Sequence, residues 1–490
     1  MLTTGGVAVF LGTWASLYLL DAFLKTNEKF SRAYTYFLER CGVTVSIGQI
    51  RWYTTCMNRL FLRLGQMKPR FLRWWFTCGV LFGLIAMFLA IFLLSLMIFN
   101  TFRREQHVEQ QVLTPVMPGV NLPMSQVGYY LMTLLVCGIL HEVGHALAAV
   151  REQVRVNGFG IFFLALYPGA FVDLYTEHLQ VISPLRQLRI YCAGVWHNFI
   201  IVLLAIAVLG ALPWLLMPFY TTGNSVVITY VLEKSPVDGP RGLNVGEHIT
   251  SLSGCRVTSV DAWQQCVQNS MSKAVTGYCI PSDQIKQQDT SSHSFTTSSG
   301  NVECCSNISQ THICFVYHSK AESKKQYACL PARATIDNKQ VCTLPSDCYN
   351  PKREHSCVYP SLDNTTRILK VVHGRKTPLL FLGHPLDLLY SVTVGDYVPD
   401  SILVPVSLPY VLETFCKYLI SLSGALAILN VVPCYALDGQ WILYAFIELT
   451  LSPVLNRENR GIVFTILLLC GTLLIMTNIV MALWSLFNFR

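Results

Sequence analysis

The sequence has few charged residues for its length. Asp, Glu, Lys and Arg make up 13% of its 490 residues, whereas 52% are hydrophobic, and the mean hydropathy is +0.43. A soluble globular domain carries about twice that share of charged residues, so an ordinary soluble protein is excluded. The composition predicts a membrane protein.

Several patterns that would indicate other functions are also missing. The sequence has no glycine-rich phosphate-binding loop, and no local motif favours a Ser or Cys nucleophile. The net charge of +8 is modest, and the basic residues concentrate at 51–75 rather than in nucleic-acid-like repeats. We therefore expect no nucleic-acid partner. We interpret 51–75 as a basic cytosolic loop that faces the lipid bilayer.

Long apolar runs without charge recur along the chain, and about 20 such residues suffice to cross a bilayer as a helix. Six spans are predicted, at residues 4–20, 76–99, 125–150, 198–219, 414–437 and 461–486. The first has no basic residue before it and no small-residue cleavage site after it. We expect it to be a retained span, not a signal peptide.

Two apolar stretches do not fit a simple spanning helix. Residues 157–174 are broken by glycines and Pro168 and are rich in Phe, which favours a membrane-embedded hairpin. Leu437 to Gly439 interrupts the apolar region from Tyr418 to Ile447, so we expect a helix to end near Pro433. The predicted fold class is a polytopic α-helical membrane protein with about six spans and this hairpin.

Residues 220–405 form the one large polar region, and its start resembles the PDZ pattern. Ten of the 18 cysteines lie between Cys255 and Cys357, mostly in an insertion at about 276–360. Asn307 and Asn364 begin glycosylation acceptor patterns. An even cysteine count with these patterns favours a disulfide-bonded lumenal domain over a cytosolic zinc cluster.

Charge also predicts the topology. If the basic loop is cytosolic, 220–405 is lumenal and the third span ends on the cytosolic side. The predicted domains are N-terminal spans with the basic loop (1–124), the first part of a catalytic core (125–219), the lumenal PDZ-like domain (220–405) and the second part of the core (406–490).

His141, Glu142 and His145 form an H-E-x-x-H motif at the end of the third span. On a helix the two histidines share one face and can bind one metal ion, with the glutamate beside it as general base. In a soluble helix, the same motif is also explained by two surface histidines that flank a glutamate and bind no metal. In an apolar span, however, ionisable residues are costly unless they face one another or a cavity. We therefore predict a metal site.

A catalytic zinc ion takes three protein ligands and keeps one position open. Asp438, in Leu437-Asp438-Gly439, is the best candidate for the third, because it is the one aspartate inside the later apolar region. Asp173, Asp387 and Asp238 are weaker competitors, since they follow the hairpin or lie in the polar region.

Two further polar residues, His197 and Asn198, begin the fourth span. Each can face the same site and orient a substrate. Each can equally bond neighbouring helices, which is the commoner role of intramembrane amides.

H-E-x-x-H in one span, Asn430, Pro433 and the Leu437-Asp438-Gly439 triplet in a later one, and the PDZ-like domain between them resemble the site-2 protease family of intramembrane zinc metalloproteases. The resemblance covers nearly the whole chain. It implies one zinc ion held by its ligands His141, His145 and Asp438, and a catalytic Glu142. It also implies supporting, substrate-binding roles for Asn198 and Asn430, and less securely for His197.

The family resemblance further implies a substrate class and a location. The substrates are transmembrane helices of transcription-factor precursors, of the sterol regulatory element-binding type and the endoplasmic-reticulum stress type, already trimmed by site-1 protease. The implied location is the Golgi membrane, in the secretory pathway. Two alternatives stay open: a zinc-dependent membrane transporter, and an inactive relative that binds membrane segments without cutting them.

Overall fold

The structure is a computed structural model. It describes residues 4–102, 122–165, 167–239, 242–273, 275–291, 294–296, 301–305, 311–318, 325–337, 340–349, 354–374 and 377–488. The chain divides into two compact units. The first unit comprises Met1–Leu212 and Leu412–Arg490, and the second comprises Pro213–Val411.

Fifteen α-helices lie within the described residues. They are α1 (Thr4–Thr26), α2 (Ser31–Cys41), α3 (Asn58–Gln66), α4 (Pro69–Phe102), α5 (Val127–Arg151), α6 (Thr176–Val181), α7 (Pro184–Tyr191), α8 (Ala193–Leu216), α9 (Val260–Ser272), α10 (Ser282–Gln288), α11 (Ala332–Ile336), α12 (Pro385–Ser391), α13 (Leu408–Val431), α14 (Asp438–Leu451) and α15 (Arg457–Asn488). Short 3₁₀ turns occupy Met124–Gln126 and Pro345–Cys348.

Five helical segments of the described chain are long and apolar enough to cross a membrane. They are Pro69–Thr101, Met124–Arg151, Pro184–Leu216, Leu408–Val431 and Arg457–Trp484. The hydrocarbon core of a bilayer offers no hydrogen-bond partners, and a helix pairs its backbone N–H and C=O groups internally. Such segments are therefore suited to a bilayer. The protein is therefore a multi-pass membrane protein. Helix α1 occupies the first predicted span but is not among the five, so the count of six stays a prediction.

Nineteen strands complete the described secondary structure. They are β1 (Val43–Ser46), β2 (Gln49–Thr54), β3 (Val156–Leu164), β4 (Tyr167–Leu174), β5 (Tyr220–Thr221), β6 (Val226–Val231), β7 (His248–Leu252), β8 (Cys255–Arg256), β9 (Gly277–Pro281), β10 (Phe295–Thr296), β11 (Val302–Glu303), β12 (His312–His318), β13 (Lys325–Pro331), β14 (Val341–Cys342), β15 (His355–Pro360), β16 (Arg367–His373), β17 (Leu379–Gly383), β18 (Val392–Gly395) and β19 (Val398–Pro399).

The predicted hairpin is present in the first unit. Strands β3 and β4 pair antiparallel, with Phe159 opposite Val172 and Leu164 opposite Tyr167. They belong to an antiparallel sheet of order β1-β2-β3-β4. Within the described chain β4 is an edge strand of this sheet, and it lies beside α5.

The basic stretch 51–75, predicted as a cytosolic loop between two spans, is ordered secondary structure, and its cytosolic location stays a prediction. It contains most of β2, all of α3 and the start of α4. Phe61 and Gly65, one helical turn apart, form the buried face of α3. Phe61 meets Phe159 edge to face with ring centroids 6.0 Å apart, so apolar packing against β3 orders the stretch.

The second unit contains a six-stranded sheet. Its order is β17-β16-β7-β6-β18, with β8 paired to β7. Buried Ile228, Ile249 and Val371 on its strands pack in one core with Trp263 and Val267 of α9. Helix α9 begins where the Ser259 side chain accepts a hydrogen bond from the Ala262 amide, an ordinary N-terminal cap. The likeness to a PDZ domain stays a prediction.

A second, five-stranded sheet lies between α9 and β16 in the sequence, with the order β13-β12-β15-β9-β14. Five disulfides pair all ten cysteines of the polar region. They are Cys255–Cys266, Cys279–Cys348, Cys304–Cys314, Cys305–Cys329 and Cys342–Cys357. This pairing agrees with the predicted disulfide framework and leaves no thiolates there for a zinc cluster.

We predict that thiol counting will separate two sets of cysteines. A maleimide tag on the denatured, unreduced protein should label the eight free cysteines, and reduction should raise the number to 18. Disulfide sulfurs have no thiolate to react, which is the reason for the difference. Peptide mass spectrometry locates the tags. Labelling of any cysteine between Cys255 and Cys357 before reduction would contradict the pairing.

Candidate metal centre and active site

Helix α5 carries the H-E-x-x-H motif on its buried face. Cys137, His141, His145 and Ala148 are all buried and recur every three to four residues, which is the spacing of one helix face. The ring centroids of the two histidines are 4.8 Å apart. Both imidazoles therefore point into the first unit, toward α7, α8 and α14.

The third candidate ligand comes from the start of α14. Helix α13 ends at Val431, and α14 begins at Asp438, so the predicted break near Pro433 is present. In the intervening turn Ala436 has a positive φ of 67°, and its amide donates to Gln440 Oε1 at 3.2 Å. This turn directs the Asp438 side chain back toward α5.

The three side chains converge. Asp438 Oδ2 lies 2.8 Å from His141 Nε2 and 3.2 Å from His145 Nε2, and the two Nε2 atoms are 3.1 Å apart. Ligands about 2.05 Å from a tetrahedral zinc ion are separated by about 3.3 Å, close to these values. The donor set and spacing therefore fit one zinc ion.

The other nitrogen of each imidazole is held by a neighbouring helix. His145 Nδ1 lies 2.8 Å from the Ile190 carbonyl oxygen at the end of α7. A carbonyl can only accept, so Nδ1 donates and Nε2 keeps its lone pair. This is the tautomer that binds a metal through Nε2.

Asn198 is the corresponding neighbour of the His141 Nδ1 atom. It is fully buried, and its amide nitrogen lies 3.1 Å from His141 Nδ1, while its Oδ1 has no hydrogen-bond partner among the described residues. In the opposite amide orientation, Oδ1 accepts from Nδ1–H and leaves His141 Nε2 free for a metal. Asn198 thus contacts a ligand rather than open space.

Glu142 lies on α5 between the two ligands and is held by the hairpin. Its Oε2 accepts a hydrogen bond from the Val172 amide of β4 at 2.9 Å. Gly138, one turn earlier, lies beside β4, and a Cβ added there would be in ordinary van der Waals contact with the Ala170 amide nitrogen, at 3.6 Å. The edge of β4 therefore faces α5 and orients the candidate general base.

A buried ion-pair network fixes α7 against the end of α5. Glu152, 4% exposed, accepts from Arg186 Nε at 2.8 Å and from Arg189 at 3.2 Å. The Glu152 carbonyl also accepts from Arg186. Because Ile190 lies one residue beyond Arg189, this network holds the carbonyl that orients His145. The sequence analysis did not identify Glu152, which has no distinguishing motif.

Gly194 is a second residue that the sequence analysis missed. A Cβ on Gly194 would lie 2.4 Å from His145 Nε2 and 2.6 Å from His141 Nε2, closer than atoms can approach. The space beside the ligand atoms exists because this residue has no side chain. Its position four residues before Asn198, on the same face of α8, is a signal from which it could have been found.

The remaining predicted residues lie elsewhere. His197 Nδ1 lies 3.4 Å from the Leu140 carbonyl oxygen, and its ring packs against Trp75 and Phe76. Asn430 is half-buried in the last turn of α13, and its side chain makes no hydrogen bond within the described residues. Substrate contacts by these two residues stay predictions.

The competing aspartates and the sequons are also placed. Asp173 lies 3.4 Å from the Asn157 amide, and Asp238 accepts from the Lys234 amide in the second unit. Asp387 lies in the first turn of α12. Asn364 is exposed, as a glycosylation site requires, whereas Asn307 falls outside the described residues.

The fold and the site together define a membrane metalloprotease. Residues 129–474 match the family described as peptidase family M50. This match covers most of the chain, which therefore belongs to peptidase family M50, the site-2 protease family. The chain is also 26% identical over 438 residues to a membrane-bound transcription factor site-2 protease homolog from Arabidopsis thaliana, a match that covers 80% of this chain and 83% of that relative. The predicted family resemblance is confirmed.

We predict that Gly194→Ala abolishes metal binding. The added methyl group occupies the space beside both Nε2 atoms, and the helix backbone that carries it cannot move aside cheaply. Zinc content of the purified protein, measured by mass spectrometry, should fall at least tenfold. Gly210→Ala on the same helix is the matched control, because an added Cβ there meets nothing within 4 Å. Equal zinc in the two variants would contradict this account.

Asn198→Leu should weaken zinc binding by about 10- to 100-fold, since it removes the acceptor that holds His141 in its ligating tautomer. Asn198→Asp keeps an acceptor and should retain most of the affinity. Competition with a fluorescent chelator measures both. If the two variants lost zinc to the same extent, a packing defect rather than the hydrogen bond would be responsible.

Proposed function

We propose that this protein is an intramembrane zinc metalloprotease. It hydrolyses a peptide bond in the transmembrane segment of membrane-anchored transcription-factor precursors that site-1 protease has already trimmed, and releases the cytosolic transcription factor. The observation that carries the proposal is the convergence of His141, His145 and Asp438, with Glu142 beside them, among helices long enough to span a bilayer.

The donor set supports zinc as the cofactor. Two neutral imidazole nitrogens and one carboxylate oxygen are the ligands of a catalytic zinc site with a fourth position left open. A zinc ion held by these residues would supply Lewis-acid polarisation of the scissile carbonyl.

Glu142 supports the hydrolytic step. One of its carboxylate oxygens is occupied by the Val172 amide, which leaves the other to accept a proton. In the proposed reaction Glu142 takes a proton from the attacking water as the water oxygen bonds to the carbonyl carbon. It then donates that proton to the departing amine nitrogen as the C–N bond breaks. Water is consumed, and an acid and an amine are formed.

Three further observations support the proposed setting. The disulfide framework and the exposed acceptor Asn364 suit a lumenal location for 220–405. The basic residues at 51–75 suit a cytosolic side for the end of α5 that carries the motif. The relative from Arabidopsis thaliana bears a name that refers to membrane-bound transcription factors. We assign the protein to the Golgi membrane on the family resemblance.

We predict that Glu142→Gln separates zinc binding from catalysis. The amide oxygen of Gln can still accept from Val172, and the three ligands are unchanged, so zinc content should match that of the wild type. Without a base, cleavage of a trimmed single-span precursor should fall by about 10²- to 10⁴-fold. An immunoblot for the released fragment, in cells that lack the endogenous enzyme, measures this loss.

Asp438→Asn is the companion variant, and it should lose zinc and cleavage together. If Glu142→Gln still cleaved at the wild-type rate, Glu142 would not be the base. If wild-type protein held zinc but released no fragment from any trimmed precursor, the protein would be an inactive relative or a transporter.

A further inference from the structure

A cavity lies in the first unit, and none of the proposed zinc ligands lines it. It has a volume of about 480 Å³ and is lined by Arg70, Arg73, Arg151 and Arg189, together with Trp74 and Thr77. This volume lies within the range of small-ligand sites, which is about 300 to 1,000 Å³. Four guanidinium groups on one cavity make it strongly cationic.

Two of the arginines are held in place by the protein. Arg189 is 13% exposed, and its Nε donates to the Thr77 hydroxyl at 3.1 Å. Arg151 Nε donates to the Pro69 carbonyl at 3.0 Å. Arg151 is held through Nε, and Arg189 through Nε and one terminal nitrogen, so the remaining N–H groups of each planar fork have a set direction. The cavity wall is therefore preorganised.

Nearby acids balance only part of the positive charge of the cavity. Glu152 pairs with Arg189, but it also pairs with Arg186. Within the described ranges, no carboxylate lies within ion-pair distance of Arg70, Arg73 or Arg151. A protein keeps such a cluster of like charges at a cost, and an anionic ligand removes that cost.

From the ends of two spanning helices we infer that the cavity lies at the level of the lipid head groups. Arg70 and Arg73 are in the first turns of the spanning helix α4, and Arg151 is the last residue of the spanning helix α5. The Trp74 side chain between them is 62% exposed. Tryptophan and arginine at the ends of spans are typical of the interface between hydrocarbon and water.

We propose that this arginine cavity binds the phosphorylated head group of an anionic phospholipid. A phosphate monoester carries close to two negative charges and three acceptor oxygens, which matches several guanidinium forks better than a single carboxylate does. The acyl chains of the lipid then lie along the apolar surface of α4, where Leu81, Ile85 and Phe88 are exposed. Neither the zinc ligands nor Glu142 takes part in this site.

Binding of fluorescent phosphatidylinositol 4-phosphate to the full-length protein in detergent tests the proposal, with fluorescence anisotropy as the measurement. Arg70→Gln with Arg73→Gln should weaken binding about thirtyfold, since each basic residue near a membrane surface raises the affinity for an anionic lipid about fivefold. Arg59→Gln with Arg63→Gln is the matched control. It removes two exposed arginines of the same basic stretch, on α3 and outside the cavity, and should leave binding unchanged.

Two competitors identify the ligand chemistry. Cholesteryl hemisuccinate, which has a carboxylate and no phosphate, should compete poorly. Soluble inositol 1,4-bisphosphate should compete, but more weakly than the unlabelled lipid. Equal losses in the two double variants, or equal competition by the carboxylate lipid, would show diffuse charge attraction and overturn the proposal. Equal affinity for the soluble inositol phosphate would assign the cavity to a soluble phosphate ligand instead of a lipid.

Discussion

Two buried histidines and a half-buried aspartate among apolar helices must satisfy one another, and the arrangement of the first unit depends on this constraint. His141 and His145 are 5% and 6% exposed, respectively. An unpaired buried charge costs several kcal/mol, whereas the whole free energy of unfolding of a typical domain is about 5 to 15 kcal/mol. Their partners come from other helices: the Ile190 carbonyl of α7, the Asn198 amide of α8 and the Asp438 carboxylate of α14. The site thus ties α5 to three neighbours.

Close approach of α5 and α8 makes this arrangement possible, and a glycine on each of the two helices allows it. A Cβ on Gly144 would lie 2.7 Å from the Ala193 carbonyl, and one on Gly194 would meet the ligand nitrogens. In lipid, helices associate through such close packing rather than through the hydrophobic effect. Small residues around the site are therefore part of the metal centre, although they bind nothing themselves.

Local patterns allowed part of the fold and site to be predicted. The i, i+4 spacing of His141 and His145 requires a helix for a shared face, and the glycines and Pro168 of residues 157–174 indicated the hairpin that the structure contains. The secondary structure within 51–75 was not predicted, because its basic residues dominated the interpretation. The buried face of α3, Phe61 with Gly65, is too short to give a clear period.

The sequence by itself determined the chemistry available to this protein: a membrane setting, two candidate histidine ligands on one helix face and a glutamate between them. It also restricted the third ligand to a few aspartates. Tertiary structure alone decided which groups complete the site. Gly194 can be found from its spacing to Asn198, but the space that it leaves is seen only in the packed structure. The Ile190 carbonyl and the Val172 amide are backbone groups, and every residue has a backbone, so no side-chain pattern marks them. They become functional only when α7, α8 and β4 pack around α5.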